Sequence, residues 1–519
     1  MLITIDHSAR SFIEKGFVRA ALRAMLFVWT ISPFGCGPTP PAATPSSAPE
    51  HAQSVSGSAE VQETSSATSH STSEITTGAT EGQDASPVVE VASITSFRPP
   101  DLRLRHDAER LSMLGIHEYK SRRLLLYTDI DSEIAATLPE VIDQAFEAWE
   151  AYFGPLPPAR DGSDYQLTGY IMRDQTPFRK SGLLPLQLAA FAHGKHDGQQ
   201  FWMNESEFEY YRRHLMIHEA THCFMQSMGG TTRDVPVWYL EGMAELFATH
   251  MIADDGSIEF CVMPDIKDRF IGFGRIQMIQ RAIADGPPLT FDEMMQLQPE
   301  DFVQHNESYA WAWAACKLAS THPRYRDLFQ QLGREYVAEG FQHAFTQLLG
   351  PVLADIDAEW TLFARDLCYG FDIERAAILF QPGIEIDAPE GQHPATILAS
   401  RGWQSSGMKF HADDLSIITA SGRAVLAQSP RPWETEPQGI SIRWNEGVPI
   451  GRLIGVMVSE PDPDTGRRLV GDVIEIGTQS EFTEPFDGTL YLRINDFWDE
   501  LEDNTGEYSV SRRVISNGN

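Results

Sequence analysis

Apolar side chains recur with a helical period through Ile134, Leu138, Val141, Ile142, Ala145, Phe146, Trp149 and Tyr152, which predicts a long helix over 132–153. Pro155, Pro157 and Pro158 stop it. The apolar run 124–128 before it and the alternating run 165–171 after it predict strands, and 200–204 predicts a third. A long helix is then expected from about 206 to 228, ended by Gly229 and Gly230. Further helices are expected over 236–252, 265–283, 307–320, 324–338, 340–349 and 354–369. From about 372 the texture changes. Short alternating runs at 415–420, 439–444, 453–458, 473–476, 489–494 and 508–514, separated by Gly, Pro, Asp and Asn, predict a small all-β sandwich. The boundary falls near Pro382, and there is no internal repeat.

The N-terminal segment has a different character. Arg10, Lys15, Arg19 and Arg23 precede an apolar run over 24–31 that is too short for a permanent bilayer span. This is the form of a secretory signal. The run ends at Pro33-Phe34-Gly35-Cys36, and a small residue directly before a cysteine resembles a bacterial lipobox, which makes Cys36 the expected lipidation site within a 1–36 signal segment. Residues 37–95 are mainly Ser, Thr, Ala, Pro, Glu and Gly, without a single Lys or Arg. They cannot bury enough apolar surface to offset chain entropy, so a disordered stalk is expected there. An ordered region at 96–382 and a β-rich region at 383–519 follow.

Composition narrows the function classes. The 519 residues carry 40 Lys+Arg against 73 Asp+Glu, a formal net charge of −33. Such a surface repels phosphate backbones and argues against nucleic acid as a partner. It suits an exported protein of the cell envelope, or one that binds cations. A hydrophobic content of 42% excludes a polytopic membrane protein and leaves a lipid anchor as the expected route to a membrane. Five cysteines are too few for a disulfide scaffold, and the odd count leaves at least one unpaired within the chain.

The sharpest chemical signal is His218-Glu219-Ala220-Thr221-His222. Positions i and i+4 share a helix face, so both imidazoles can reach one metal, with Glu219 beside it as a proton acceptor for water. After eighteen intervening residues comes Glu241, inside Trp238-Tyr239-Leu240-Glu241-Gly242-Met243-Ala244-Glu245. A carboxylate on a second helix completes a His₂Glu zinc set. Glu245, one turn further on, is placed to hydrogen-bond the distal nitrogen of a ligand histidine. A solvated helix face would also account for two glutamates, but this stretch is otherwise hydrophobic.

HEATH, eighteen residues and then the Glu of WYLEGMAE resemble the gluzincin clan of zinc metallopeptidases, over roughly residues 115–370. The resemblance implies His218, His222 and Glu241 as zinc ligands and Glu219 as general base. It also implies a zincin-like catalytic domain, a short mixed sheet with mainly helices. Clan members often supply a tyrosine to the oxyanion from a later helix, which nominates Tyr309, with His305 as a weaker rival. The G-x-M-E-N strand motif of the clan's aminopeptidases is missing, since Trp202-Met203-Asn204-Glu205 lies too close to His218. This favours an endopeptidase or an unusual specificity. His214, a turn before His218, reads as structural or as support for a ligand, and Cys223 reads as core.

The C-terminal region carries Gly402-Trp403-Gln404, Ile417-Ile418-Thr419, Pro449-Ile450-Gly451, Ile476-Gly477, Gly488 through Asp496, and Asp503-Asn504-Thr505-Gly506. In order and spacing these resemble the galactophilic calcium lectins of bacteria, a small jelly-roll-like sandwich, over about 388–515. The resemblance implies a calcium loop of Asp496, Glu500 through its carbonyl, Asp503 and Asn504. Leu426 falls near the place of a further carbonyl ligand, but 423–438 departs from the family there. An acidic surface loop is the bland alternative.

The expectation is therefore a multidomain α+β protein. It is an exported, lipid-anchored zinc peptidase acting on a peptide or protein substrate, followed by an all-β sandwich that takes Ca²⁺ and a glycan or surface. The rival is a non-catalytic cell-surface binding protein with a structural or degenerate zinc site. An intact Glu219 argues against that rival, because a structural zinc site has no use for a base.

Overall fold

A computed structural model describes residues 97–515, apart from 102, 187, 189–190, 230–233, 386–393 and 484–485. The expected signal segment with Cys36 and the stalk at 37–95 lie outside the described residues. The described residues belong to one compact unit of mixed α/β structure with several sheets.

The N-terminal part opens with a short helix α1 (Ala108–Ser112), strands β1 (His117–Lys120) and β2 (Leu124–Thr128), and helix α2 (Ser132–Phe153). Asp131 caps α2 by accepting from Glu133 N at 2.9 Å. β3 (Leu167–Met172), α3 (Gln175–Ser181), β4 (Gly194–Asp197) and β5 (Gln200–Asn204) follow. The sheet order is β1-β2-β3-β5-β4, with a parallel centre and antiparallel edges. β3 is buried along its whole length, as a strand covered on both faces must be.

Next come α4 (Glu209–Ser227), α5 (Val237–Ala248), a hairpin of β6 (His250–Ile252) and β7 (Ile258–Phe260), and helices α6 (Arg275–Asp285), α7 (Phe291–Met295) and α8 (Pro299–Gln304). α9 (Asn306–Thr321), α10 (Arg326–Glu339), α11 (Phe341–Leu348), α12 (Leu353–Asp366) and α13 (Ile373–Ala376) complete this part. Two expected helices are shorter than their patterns. The one over 236–252 stops at Ala248, where Thr249 turns extended, donates Oγ1 to Leu246 O at 2.6 Å and leads into the β6–β7 hairpin. The one over 265–283 starts only at Arg275, because Gly272 and Gly274 adopt left-handed backbone conformations (φ 93° and 63°) that break a right-handed helix.

The C-terminal part is β8 (Ala395–Leu398), β9 (Gln404–Phe410), β10 (Ser416–Val425), β11 (Glu434–Thr435), β12 (Gln438–Asn445), β13 (Val448–Val458), β14 (Val470–Glu475), β15 (Gln479–Phe482), β16 (Gly488–Ile494) and β17 (Thr505–Val514). They form two sheets. One runs β11-β10-β17-β8 with β15 on β10; the other runs β12-β13-β16-β9 with β14 on β13. Ile397, Met408, Ile418, Leu453, Leu490, Leu492 and Tyr508 share one buried core.

β13 buries both of its faces. Leu453 and Met457 point into that core, while Ile454, Val456 and Val458 join the large core of the N-terminal part. Trp403, Tyr491, Trp498 and Leu501 join it too, and Trp498 stacks on Phe371 with ring centroids 4.9 Å apart. The two parts therefore share one hydrophobic interior across the boundary expected near Pro382. No helix of the described residues is long and apolar enough to cross a membrane.

Candidate metal centre

α4 and α5 pack against each other, and α5 lies against α9. His218 and His222 project from α4 one turn apart, both buried, with their Nε2 atoms 3.2 Å apart. Glu241 of α5 completes the triangle: its Oε2 lies 3.4 Å from His218 Nε2 and 3.2 Å from His222 Nε2. Among the described residues these three are the His/Cys/Asp/Glu set whose ligand atoms converge on one point. A tetrahedral ion with arms of about 2.0–2.1 Å spaces its ligands by about 3.3–3.4 Å, so the residues present fit a zinc-sized cation.

The three groups perturb one another strongly. Burial alone would depress the His218 imidazole, but the carboxylates of Glu241 and Glu245 outweigh it and raise it to about 10. Burial depresses His222, against the pull of Glu241. Glu241 is driven well below the usual carboxylate range, because the two histidines overcome its desolvation.

Glu245 faces His218 Nδ1 with Oε1 at 3.3 Å and His214 Nε2 with Oε2 at 3.2 Å. His214 turns its Nδ1 to Ala248 O at 2.9 Å and lies outside the triangle. Arg275 at the start of α6 holds the same carboxylate with two hydrogen bonds. Glu219 is buried next to His218. Desolvation raises its carboxyl, but a 2.9 Å hydrogen bond to His196 Nδ1 and the neighbouring imidazoles bring it below the usual value, so it is ionised at neutral pH.

Tyr309 sits on α9 with its ring centroid 6.1 Å from the His218 ring. Phe302 meets it edge-on at 5.1 Å, and the Arg275 guanidinium lies 5.4 Å over its face. Burial raises its phenol, which keeps the hydroxyl protonated and able to donate. His305 is exposed at the N-cap of α9. Cys223 is fully buried in the core.

His196 and Arg275 escaped the sequence reading. His196 had a legible signal: Asp197-Gly198 before the apolar run 200–204 is a hairpin turn, and β4 and β5 are joined by Gly198-Gln199. Arg275 had none, because only the fold brings it to Glu245.

In the expected calcium loop the structure brings Asp496 and Asn504 together. Asp496 is buried; its Oδ2 accepts from Asn504 Nδ2 at 2.9 Å and its Oδ1 from Phe497 N at 2.9 Å. Asn504 Oδ1 is buried and accepts no hydrogen bond. Burial raises the Asp496 carboxyl to about 6. Glu500 pairs with Arg443 at 2.6 Å, and the Asp503 side chain is exposed. Leu426 is buried, with its N–H donated to Trp433 O at 3.1 Å.

No family model matches this chain, and no curated protein matches its sequence. Among solved structures it is similar to one described as "EclA N-terminal domain; PllA-like lectin", at 24% identity over 24% of this chain and 95% of that chain, with a TM-score of 0.19. It is also similar to a functionally unknown conserved protein from Bacillus anthracis str. Ames, at 10% identity and a TM-score of 0.26, over 50% of this chain and 52% of that protein's length.

Proposed function

We propose that the protein is a zinc-dependent peptidase of the gluzincin type, exported and anchored through Cys36. The observation that carries this reading is the His218–His222–Glu241 triangle with the ionised Glu219 beside it. His218 and His222 through Nε2, and Glu241 through Oε2, would hold the cation. When bound there, zinc would supply Lewis acidity for a carbonyl and for water. Glu219 takes a proton from the attacking water and returns it to the leaving amine. Glu245 keeps His218 in the tautomer that presents Nε2 inward. Tyr309 donates its hydroxyl to the developing oxyanion. The missing amine-binding motif favours cleavage inside a chain.

For the C-terminal part we propose calcium at Asp496 and Asn504, with the carbonyl of Glu500 and Asp503, and a glycan or surface as its contact. The buried, unpartnered Asn504 Oδ1 supports this, since a hard cation would satisfy it.

Elemental analysis of the purified chain and its Glu241→Ala variant tests the metal site, and fluorescein-labelled casein tests the activity. One zinc per chain, lost in Glu241→Ala, with hydrolysis lost in Glu219→Gln, is the expected result. A folded protein that takes no zinc sinks the reading. Zinc without any hydrolysis moves the balance to a binding protein with a structural site.

A further inference from the structure

β4 is an edge strand of the first sheet among the described residues, and two of its residues reach the same carboxylate. His196 places Nδ1 2.9 Å from Glu219 Oε2, with 21% of its side chain exposed against 7% for Glu219. Its ring also stacks on His222, with centroids 4.2 Å apart and planes 23° from parallel. Two positions earlier, and so on the same side of the strand, Gly194 lies directly against the other oxygen. A Cβ there would fall 2.3 Å from Glu219 Oε1 and 2.8 Å from its carboxyl carbon. Both contacts are with the chemically active end of Glu219, and neither is needed to form the sheet.

We infer that β4 is the positioning element of the proton-carrying carboxylate: His196 fixes Glu219 Oε2 while the bare Cα of Gly194 makes room for Oε1. This rests on the peptidase reading above. In this 2.9 Å pair His196 Nδ1 is the donor and the carboxylate oxygen Oε2 the acceptor. With Oε2 engaged, Oε1 carries the transferred proton. The O–H bond of water breaks as the bond to Oε1 forms, and that proton later passes to the leaving nitrogen; His196 keeps its own hydrogen throughout. A long glutamate side chain has several staggered conformations, and a reacting group is effective only when it is held in one of them. The His196 ring cannot move without leaving His222, so the same strand aligns the base with a metal-ligating ring.

The test compares purified full-length wild type with His196→Ala, His196→Asn, Gly194→Ala and Glu219→Gln. Zinc per chain, melting temperature, and kcat and KM on a quenched fluorescent peptide cut by the wild type are measured for each. His196→Ala is expected to keep its zinc and KM while kcat falls about 10–100-fold, the usual effect of removing a hydrogen-bond partner that orients a site. His196→Asn, which keeps an N–H donor, recovers most of the loss. Gly194→Ala loses kcat with zinc retained. Adding His196→Ala to Glu219→Gln costs nothing further, because the two act as one unit. In protein stripped with EDTA, thermal unfolding of the single and double variants is expected to be non-additive, a readout independent of turnover. An active wild type whose His196→Ala variant keeps full kcat, or loses it only in step with zinc or folding, overturns this assignment alone. A zinc-loaded wild type that cuts no peptide overturns the proposed function and this assignment with it.

Discussion

Arg275 grips Glu245 with both ends of its fork, Nε to Oε2 at 3.0 Å and Nη2 to Oε1 at 2.8 Å, in a site where the glutamate side chain is only 2% exposed. The same carboxylate faces His218 and His214. One guanidinium thus steadies the carboxylate that faces His218, a ligand in the proposed zinc site. Removing one partner of a buried pair leaves the other charge uncompensated and costs about 3–5 kcal/mol. Arg275→Ala is expected to lose that much in urea unfolding and to weaken zinc binding about 10-fold or more. Arg275→Lys keeps the charge but not the fork, and falls between. An Arg275→Ala protein with wild-type unfolding and zinc affinity would remove this role.

A second prediction concerns the seam between the two parts. Asp355 of α12 accepts from Arg468 Nε of the C-terminal part at 2.8 Å and also from Arg324. Behind this pair, Trp403, Ile454, Val456, Val458, Tyr491, Trp498 and Leu501 complete the N-terminal core. Burying a side chain of this size contributes about 1.5–3 kcal/mol. Seven of them match or exceed the net stability of a typical domain, about 5–15 kcal/mol. A chain ending at residue 382 is therefore expected to bind the dye ANS and to unfold without cooperativity, as seen by near-UV circular dichroism. A sharp transition in the shortened chain would show that the N-terminal part stands alone.

How far the sequence carried depends on the kind of signal. α4 and the strand pattern of the C-terminal part were legible because period and punctuation agree locally. The His218–Glu219–His222 spacing was legible because a helix fixes it. β4 was missed because Gly194–Asp197 is polar and short, and its role comes from what lies beneath it. The shared interior had a signal in 453–458, a nearly continuous apolar run that a one-sided strand would not carry. Arg275 could not be foreseen, since its partner is thirty positions away on another helix.

His250 sets an acid limit on the fold. It is buried, stacks on Tyr210 at 4.8 Å, turns Nδ1 to Ala248 O at 2.8 Å, and accepts from Arg213 Nε at 3.2 Å. Burial, with Arg213 and His214 nearby, lowers its imidazole to about 3, although the bond to Ala248 opposes this. The unfolded chain takes up the proton near 6.5 and the folded chain only near 3. Its contribution is therefore present above 6.5 and is lost as pH falls from there toward 3, at a slope of up to about 1.4 kcal/mol per pH unit. His250→Gln is expected to flatten the fall in urea stability between pH 6.5 and 4.5. An unchanged slope in that variant would assign the acid sensitivity elsewhere.

Asp496 works in the opposite sense. Its buried carboxyl is raised to about 6 from an ordinary 3.8, so the folded chain holds a proton that the unfolded chain has already released. Without a cation, its own contribution to stability is highest below 3.8 and falls as pH rises through 6, where a buried charge is left with the hydrogen bonds from Asn504 and Phe497 and the field of Arg493. Calcium at that carboxylate and at Asn504 Oδ1 would replace the lost proton. Calcium in hundredfold excess over its dissociation constant stabilises by about 2.7 kcal/mol. Calcium is therefore expected to raise the melting temperature at pH 7.5 and to have little effect at pH 5, where the carboxyl is protonated. Asp496→Asn removes the charge but keeps an acceptor for Asn504; it should abolish the calcium shift while melting in EDTA no lower than the wild type. A calcium shift that survives in Asp496→Asn, or that is equal at both pH values, would place the cation away from this loop.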